Sequence, residues 1–315
     1  MNLDEDLYGV LKLKKELSRR YSGLGIDEIF DGEVIENEYG ECYCIRRRAE
    51  IKSMPSKIDK DAILSDLKLI PGIGDKTQDK LKNEGYRTIK DLTTHPLWEG
   101  HAKSLLGMIE AQNFRALQDR FLKNVSVSHP IHLHLSDYHD EFLLLDLETM
   151  GLYDVPIILL GAARLRLNGS GSVEVSQYLL RGLSEELSAI VAFQEEFDGL
   201  PLITFNGRRF DVPYLKKRAG FYGVKHSFER FHLDLLHFSR RFLSKELPDC
   251  RLSTIETHIL GVERDIDMPG ALVPEFYRSF LDTGNAGPLI LIVEHNFQDV
   301  VSLAELFCHL KKVSL

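Results

Sequence analysis

The chain has 315 residues, 43% of them hydrophobic and 28% charged, with a formal net charge of −9 at pH 7. Such a length suits two domains that each bury a core, and the composition excludes disordered, collagen-like and membrane classes. The acidic balance excludes a basic protein that coats nucleic acid by charge alone.

The apolar runs at 143–145 and 289–293 fall far short of the ~20 residues that span a bilayer. Acids at positions 4–6 stand where a signal peptide would be basic, so a cytoplasmic location is expected. Cys42, Cys44, Cys250 and Cys308 form no CxxC pair and are expected as free thiols. Residues 1–128 carry 21 basic against 22 acidic side chains, so nearly all of the acid excess lies beyond them.

In chain order, the first 25 residues read as a helix with a basic face. The run GEVIENEYGECYCIRRR then gives two strands around a Glu38-Tyr39-Gly40 turn, the second closed by Arg46, Arg47 and Arg48. From Asp59 to about Lys123 the pattern is that of several short helices, with turns at Pro71 to Gly74, Gly85 and His95-Pro96. Within HPIHLHLSDYHD, alternation puts His132 and His134 on one face beside His129 and His139, a set too incomplete to read as a metal site. From Glu141 strands and helices alternate, as in an α/β sheet domain. FLLLDLE reads as a buried central strand, and PIILLGAARLRL with SVEVSQYLL as a hairpin around Asn168 to Gly171. A helix near 184–198, a strand LPLITF, a helix from about Asp211 with Pro213 in its first turn, and a long apolar-sided helix near 288–312 complete the pattern. The expected division is 1–58, a helix and β-hairpin; 59–128, a helical module; and 129–315, the sheet domain.

Three acidic pieces carry the chemistry. Asp146 and Glu148 stand two apart near the end of an apolar strand, so both leave one face of the sheet, a geometry suited to a shared cation. Asp211 follows an apolar strand and the Asn206-Gly207 turn at the opening of a helix, where a plain N-cap is the alternative. His295 and Asp299 lie four apart and project from one helical face. Acids this close to a core demand compensation by partners or by metal. Asp234, in FHLDLLHF, is another acid on an apolar background, read as a strand-end residue or a support for the site.

DLET, Asn206-x-x-x-Phe210-Asp211 and His295-x-x-x-Asp299 resemble the three motifs of the DEDD superfamily of 3′→5′ exonucleases, which have an RNase H-like fold. The second motif with VPYLKKRAG is similar to the proofreading domain of family-B DNA polymerases. FNGRRFD, HLDLLHFSRR, LSTIETHILGVERDIDMPG and HNFQDVVSLAEL resemble the YprB-like group, a likeness covering about Glu141 to Leu310. The resemblance implies that Asp146, Glu148, Asp211 and Asp299 hold two divalent ions, Mg²⁺ or Mn²⁺, about 3.5–4 Å apart around the scissile phosphate. It implies that His295 is the general base or positions the water, although histidine here takes the four-residue spacing that usually carries tyrosine. Asn206 would hydrogen-bond, and Phe210 stack on, the terminal nucleotides, with core packing the alternative for Phe210. Arg208-Arg209, Lys216-Lys217-Arg218 and Arg240-Arg241 could guide a strand along one rim.

LKLIPGIGDKTQDKLKNEGYRTIKDL looks like a helix-hairpin-helix motif with Ile70-Pro71-Gly72-Ile73-Gly74 as its hairpin. Gly72 and Gly74 permit a tight turn that exposes N–H groups to a phosphate, and Lys76 and Thr77 stand where they add donors. Residues 97–121 could supply a second, degenerate unit. The sequence therefore reads as an RNase H-like α/β sheet domain preceded by a β-hairpin and a helix-hairpin-helix module. Metal-dependent 3′→5′ exonuclease action on single-stranded DNA is the expected function, with no membrane association. The alternatives are an RNA-directed or structure-selective nuclease, and a non-catalytic nucleic-acid-binding scaffold on the same fold.

Overall fold

The computed structural model describes residues 3–54, 64–111, 113, 117, 125–169, 171–224, 230–264 and 268–314. Residues 1–54 with 141–309 form one compact unit, and 55–140 with 310–315 a second.

In the first unit seven strands make one mixed sheet in the order β1-β2-β5-β4-β3-β6-β7. They are β1 (Gly32–Asn37), β2 (Gly40–Glu50), β3 (Glu141–Thr149), β4 (Ile157–Arg166), β5 (Ser172–Leu179), β6 (Leu202–Thr204) and β7 (His232–Asp234). β1 to β5 pair antiparallel, while β3, β6 and β7 run parallel. β3 is thus interior, with strands on both sides, as its unbroken Phe142 to Leu145 run requires.

Neighbouring residues of a strand point to opposite faces, and β5 shows what covers each. Tyr178 donates its hydroxyl to Glu196 on the Glu186–Phe197 helix, whereas Gln177 donates to the Val293 carbonyl and to Asn296 on the Leu289–Val313 helix. The two helices therefore lie on opposite faces, each burying apolar residues against the sheet: Ala189, Ile190, Phe193 and Phe197 from one, Leu289, Ile292 and Val293 from the other. This is the mixed α/β sheet flanked by helices that the sequence predicts.

The expectation that residues 1–58 stand apart from the sheet domain differs from the observed pairing. β2 runs in register along the whole of β5, from Tyr43 opposite Leu179 to Glu50 opposite Ser172, and buries Cys42, Tyr43, Cys44 and Ile45. Arg46, still exposed, bonds to Glu33, Ser176 and Glu196, and the strand runs on past the three arginines to Glu50 instead of closing there.

The second unit is built from short helices, including Asp75–Asn83 and Glu99–Glu110, around buried Leu67, Leu69, Ile70, Ile73, Leu81, Ile89, Leu92 and Leu105. The expected second hairpin unit at 97–121 runs beyond the described residues. The histidine run is a helix, Pro130–Leu135, where alternation suggested a strand. Pro130 sits in its first turn and the His129 ring caps it by accepting from the Ile131 N–H at 3.2 Å. His132 and His134, two apart on a helix, do not share a face; their Nε2 atoms meet the Ser126 and Ser314 carbonyls. Among the described residues no helix is long and apolar enough to cross a membrane.

Candidate active site

The strand period places Asp146 and Glu148 on one face of β3, opposite Gly161 and Leu159 of β4, and the ladder is irregular just after Glu148. Glu148 is 8% exposed and Asp146 is half-buried. Asp211, 5% exposed, is the first residue of the Asp211–Phe221 helix, and its Oδ1 accepts from the Leu147 N–H at 3.1 Å, the amide between the two strand acids. The side chain thus ties this helix to β3 instead of capping its own helix, for which no side-chain cap is present.

The helical period brings His295 and Asp299 to the same place from the Leu289–Val313 helix. His295 Nε2 lies 3.6 Å from Asp299 Oδ2 and 4.0 Å from Glu148 Oε1. Two residues that the sequence reading passed over complete the arrangement. The Arg264 guanidinium donates from Nη1 to His295 Nδ1 at 2.9 Å and from Nη2 to Asp299, and is held by Glu256 through Nε at 2.8 Å and Nη2 at 2.6 Å. Asn296 donates to Asp146 Oδ2 at 2.9 Å and accepts from Gln177 at 2.9 Å, while Arg47 donates to Gln177 at 2.7 Å. Asn296 fits only because residue 161 is glycine: a Cβ there would lie 2.0 Å from Asn296 Oδ1. A glycine inside a strand signals such a close approach, and was the available clue.

The acids act on one another. Burial, then the charges of Asp299, Glu148 and Asp211, push the Asp146 pKa well above its ordinary value against the Asn296 hydrogen bond. Burial raises Glu148 to about 7, with His295 opposing and Asp299 and Asp211 adding to the shift. Burial likewise raises Asp211 to about 7, with the Leu147 N–H opposing and Asp234 and Asp299 adding. Burial works against the Arg264 charge, but Glu256 and Asp299 outweigh it and raise its pKa. Among the described residues no three potential ligands are drawn closely enough together to hold an ion as they stand. Asp146, Asp211 and Asp299 each engage a protein donor. The donor set is nonetheless all carboxylate oxygen, crowded and under-neutralised, which is the chemistry that hard divalent cations satisfy.

Asn206 is exposed on a left-handed turn, φ +63°, and Phe210 is half-buried against Tyr214, ring centroids 5.3 Å apart. Asp234, 2% exposed, organises that turn by accepting from the Asn206 N–H at 2.8 Å and the Arg208 N–H at 3.1 Å, besides capping the Leu235–Phe242 helix. Asp234 is thus the last residue of β7, as expected, and holds the turn that carries Asn206. The basic rim is narrower than expected, because Arg218 is buried in an ion pair with Glu186 and Lys217 pairs with Asp154. Arg209, Arg240 and Arg241 are exposed. In the second unit Gly72, Gly74 and Lys76 are exposed and Thr77 is half-buried; Gly72 has φ +94° and faces the Trp98 ring.

Protein YprB of Bacillus subtilis (strain 168), itself described as uncharacterized, is 34% identical to the chain over 174 residues, 53% of this chain. The match spans 41% of that relative's length. Residues 143–311, which contain most of β3 with Asp146 and Glu148, Asp211, Arg264, His295 and Asp299, match the RNase H superfamily over more than half of the chain. On this match and on its sheet, the chain belongs to the RNase H superfamily, with the nuclease fold of that superfamily.

Proposed function

We propose that the protein is a metal-dependent 3′→5′ exonuclease that hydrolyses phosphodiester bonds of single-stranded DNA in the cytoplasm. The observation that carries this reading is the gathering of Asp146, Glu148, Asp211 and Asp299 in one place, where burial and mutual repulsion raise the pKa of three of them. A purely structural site has no use for four crowded carboxylates, which cost stability unless a cation or a proton relieves them.

Asp146, Glu148, Asp211 and Asp299 would hold two divalent ions, Mg²⁺ or Mn²⁺, which when bound supply the charge neutralisation that phosphodiester hydrolysis requires. Asn296 holds one Asp146 oxygen in place, and the other would be the one to meet a cation. His295, on the site side of its helix, orients the attacking water or a phosphate oxygen. Asn206 offers its amide on a turn that Asp234 fixes, and the Phe210 ring, packed at a tilt against Tyr214, would take a terminal base. In the helical segment 59–128, Gly72 and Gly74 would present backbone N–H groups at the start of the Asp75–Asn83 helix to a phosphate, with Lys76 and Thr77 as further donors. The left-handed φ at Gly72 and the exposure of Gly74 and Lys76 support that role.

The test is digestion of 5′- and 3′-labelled DNA and RNA, single-stranded and duplex, with Mg²⁺, with Mn²⁺ and with chelator. Single-stranded DNA is expected to shorten stepwise from its 3′ end with metal and to stay intact with chelator, and Asp146→Asn is expected to cleave it at least ~10²-fold more slowly. Preference for RNA or for a duplex junction would move the substrate assignment. No cleavage of any substrate with either metal would sink the enzyme reading in favour of a binding scaffold.

A further inference from the structure

We infer that Arg264 is a positioning residue that fixes His295 in the tautomer bearing its hydrogen on Nε2, so that His295 serves the site as a hydrogen-bond donor rather than as its base. What the donor acts on rests on the exonuclease reading above; the tautomer itself does not.

A guanidinium has only N–H groups and no acceptor. With Arg264 Nη1 at 2.9 Å from His295 Nδ1, that ring nitrogen must present its lone pair. A neutral imidazole has one N–H, which is then on Nε2. A hydrogen on Nδ1 would meet the N–H of the guanidinium head-on. Nε2 in turn faces two acceptors, Asp299 Oδ2 at 3.6 Å and Glu148 Oε1 at 4.0 Å. An N–H directed at carboxylates is electrostatically matched, whereas a lone pair there would be repelled.

Arg264 is not free to turn away. Its Nε and Nη2 form a two-pronged pair with Glu256, which is 1% exposed, accepts from Ser302 and lies on the π-helical turn Glu256–Leu260. The fork therefore has a buried anchor, and His295, Asp299 and Ser302 follow one another along the helix that faces it. A general base needs an open lone pair toward the proton it takes. The nitrogen of His295 nearest the acids already carries a hydrogen, so it can donate to a water oxygen or to a non-bridging phosphate oxygen among the carboxylates, and the proton released on attack must leave by another acceptor.

Long-range ¹H–¹⁵N spectra of the full chain with labelled histidine, without metal and with Mg²⁺, read the tautomer directly. Nδ1 of His295 is expected at the shift of an unprotonated nitrogen and Nε2 at that of a protonated one, and the reverse pattern overturns the inference whether or not the protein cleaves anything. Arg264→Met should abolish the preference and Arg264→Lys should retain part of it. In the digestion assay, His295→Gln, whose amide donates from nearly the same point, is expected to lower kcat by about tenfold, and His295→Ala by ~10²-fold or more. Equal losses in the two variants would overturn the donor role. Spectra as expected in a protein with no nuclease activity would leave the tautomer standing and sink the exonuclease reading alone.

Discussion

At the scale of single residues, the first acid of the site depends on Gly161, which stands opposite Asp146 on β4 and belongs to none of the acidic motifs. Asp146 is held by Asn296, Asn296 by Gln177, and Gln177 by Arg47, and this file of side chains passes where Gly161 has no Cβ. Gly161→Ala is expected to push Asn296 off Asp146, costing ~1–3 kcal/mol of stability by overpacking and weakening Mg²⁺ binding. Urea unfolding and calorimetric titration of the full chain measure the two effects. Loss of stability with unchanged Mg²⁺ affinity would show that Asn296 does not orient Asp146 for a cation. The acids themselves were legible because a carboxylate on an apolar strand or helix stands out at periods 2 and 3.6. Arg264 and Asn296 were not: an arginine in a connecting loop and an asparagine beside a histidine break no pattern, and their roles exist only once the loop and β4 meet the long helix.

At the scale of elements, the segment that delivers Arg264 is a device in its own right. The π-helical turn Glu256–Leu260 ends on Gly261 in the left-handed region, φ +62° and ψ +40°, and Lys52 donates to the Leu260 and Gly261 carbonyls that the turn leaves behind. A Cβ at position 261 would meet nothing closer than Lys52 Nζ at 3.9 Å, so any penalty there is conformational and not steric. Gly261→Ala is expected to cost ~1–2 kcal/mol, and Gly261→Asn distinctly less because asparagine visits this region readily. Urea midpoints of the two variants measure the difference; equal losses would mean that packing sets the turn. Sequence signals serve strands and long helices better than such turns. The Asp146–Glu148 strand and the long final helix were readable from periodicity, while Pro130–Leu135 alternated like a strand over too few residues to betray its helix, and only Pro130 in its first turn hinted otherwise.

At the scale of the whole molecule, the sheet is completed from a distance of more than a hundred residues. Local patterning shows that β1 and β2 form a hairpin, but a hairpin carries no mark of which edge it joins, so its pairing with β5 could not be read beforehand. The consequence is that the nuclease-fold unit does not begin at residue 129. Without residues 1–54, β5 would become an edge strand with a row of unpaired N–H and C=O groups over Val173 to Leu179, the situation that invites aggregation. Tyr43 and Ile45 would also be lost from the core, each worth ~1.5–3 kcal/mol of burial, against a net stability on the order of 5–15 kcal/mol for a domain. A chain starting at residue 55 is therefore expected to lose cooperative thermal unfolding and to elute as aggregates, although it retains Asp146, Glu148, Asp211, Arg264, His295 and Asp299. Circular dichroism melting and size-exclusion chromatography against the full chain decide it. A monomeric fragment with an unchanged cooperative melt would show that the hairpin only decorates the sheet, and that Arg47 is dispensable to the hydrogen-bonded file that ends on Asp146.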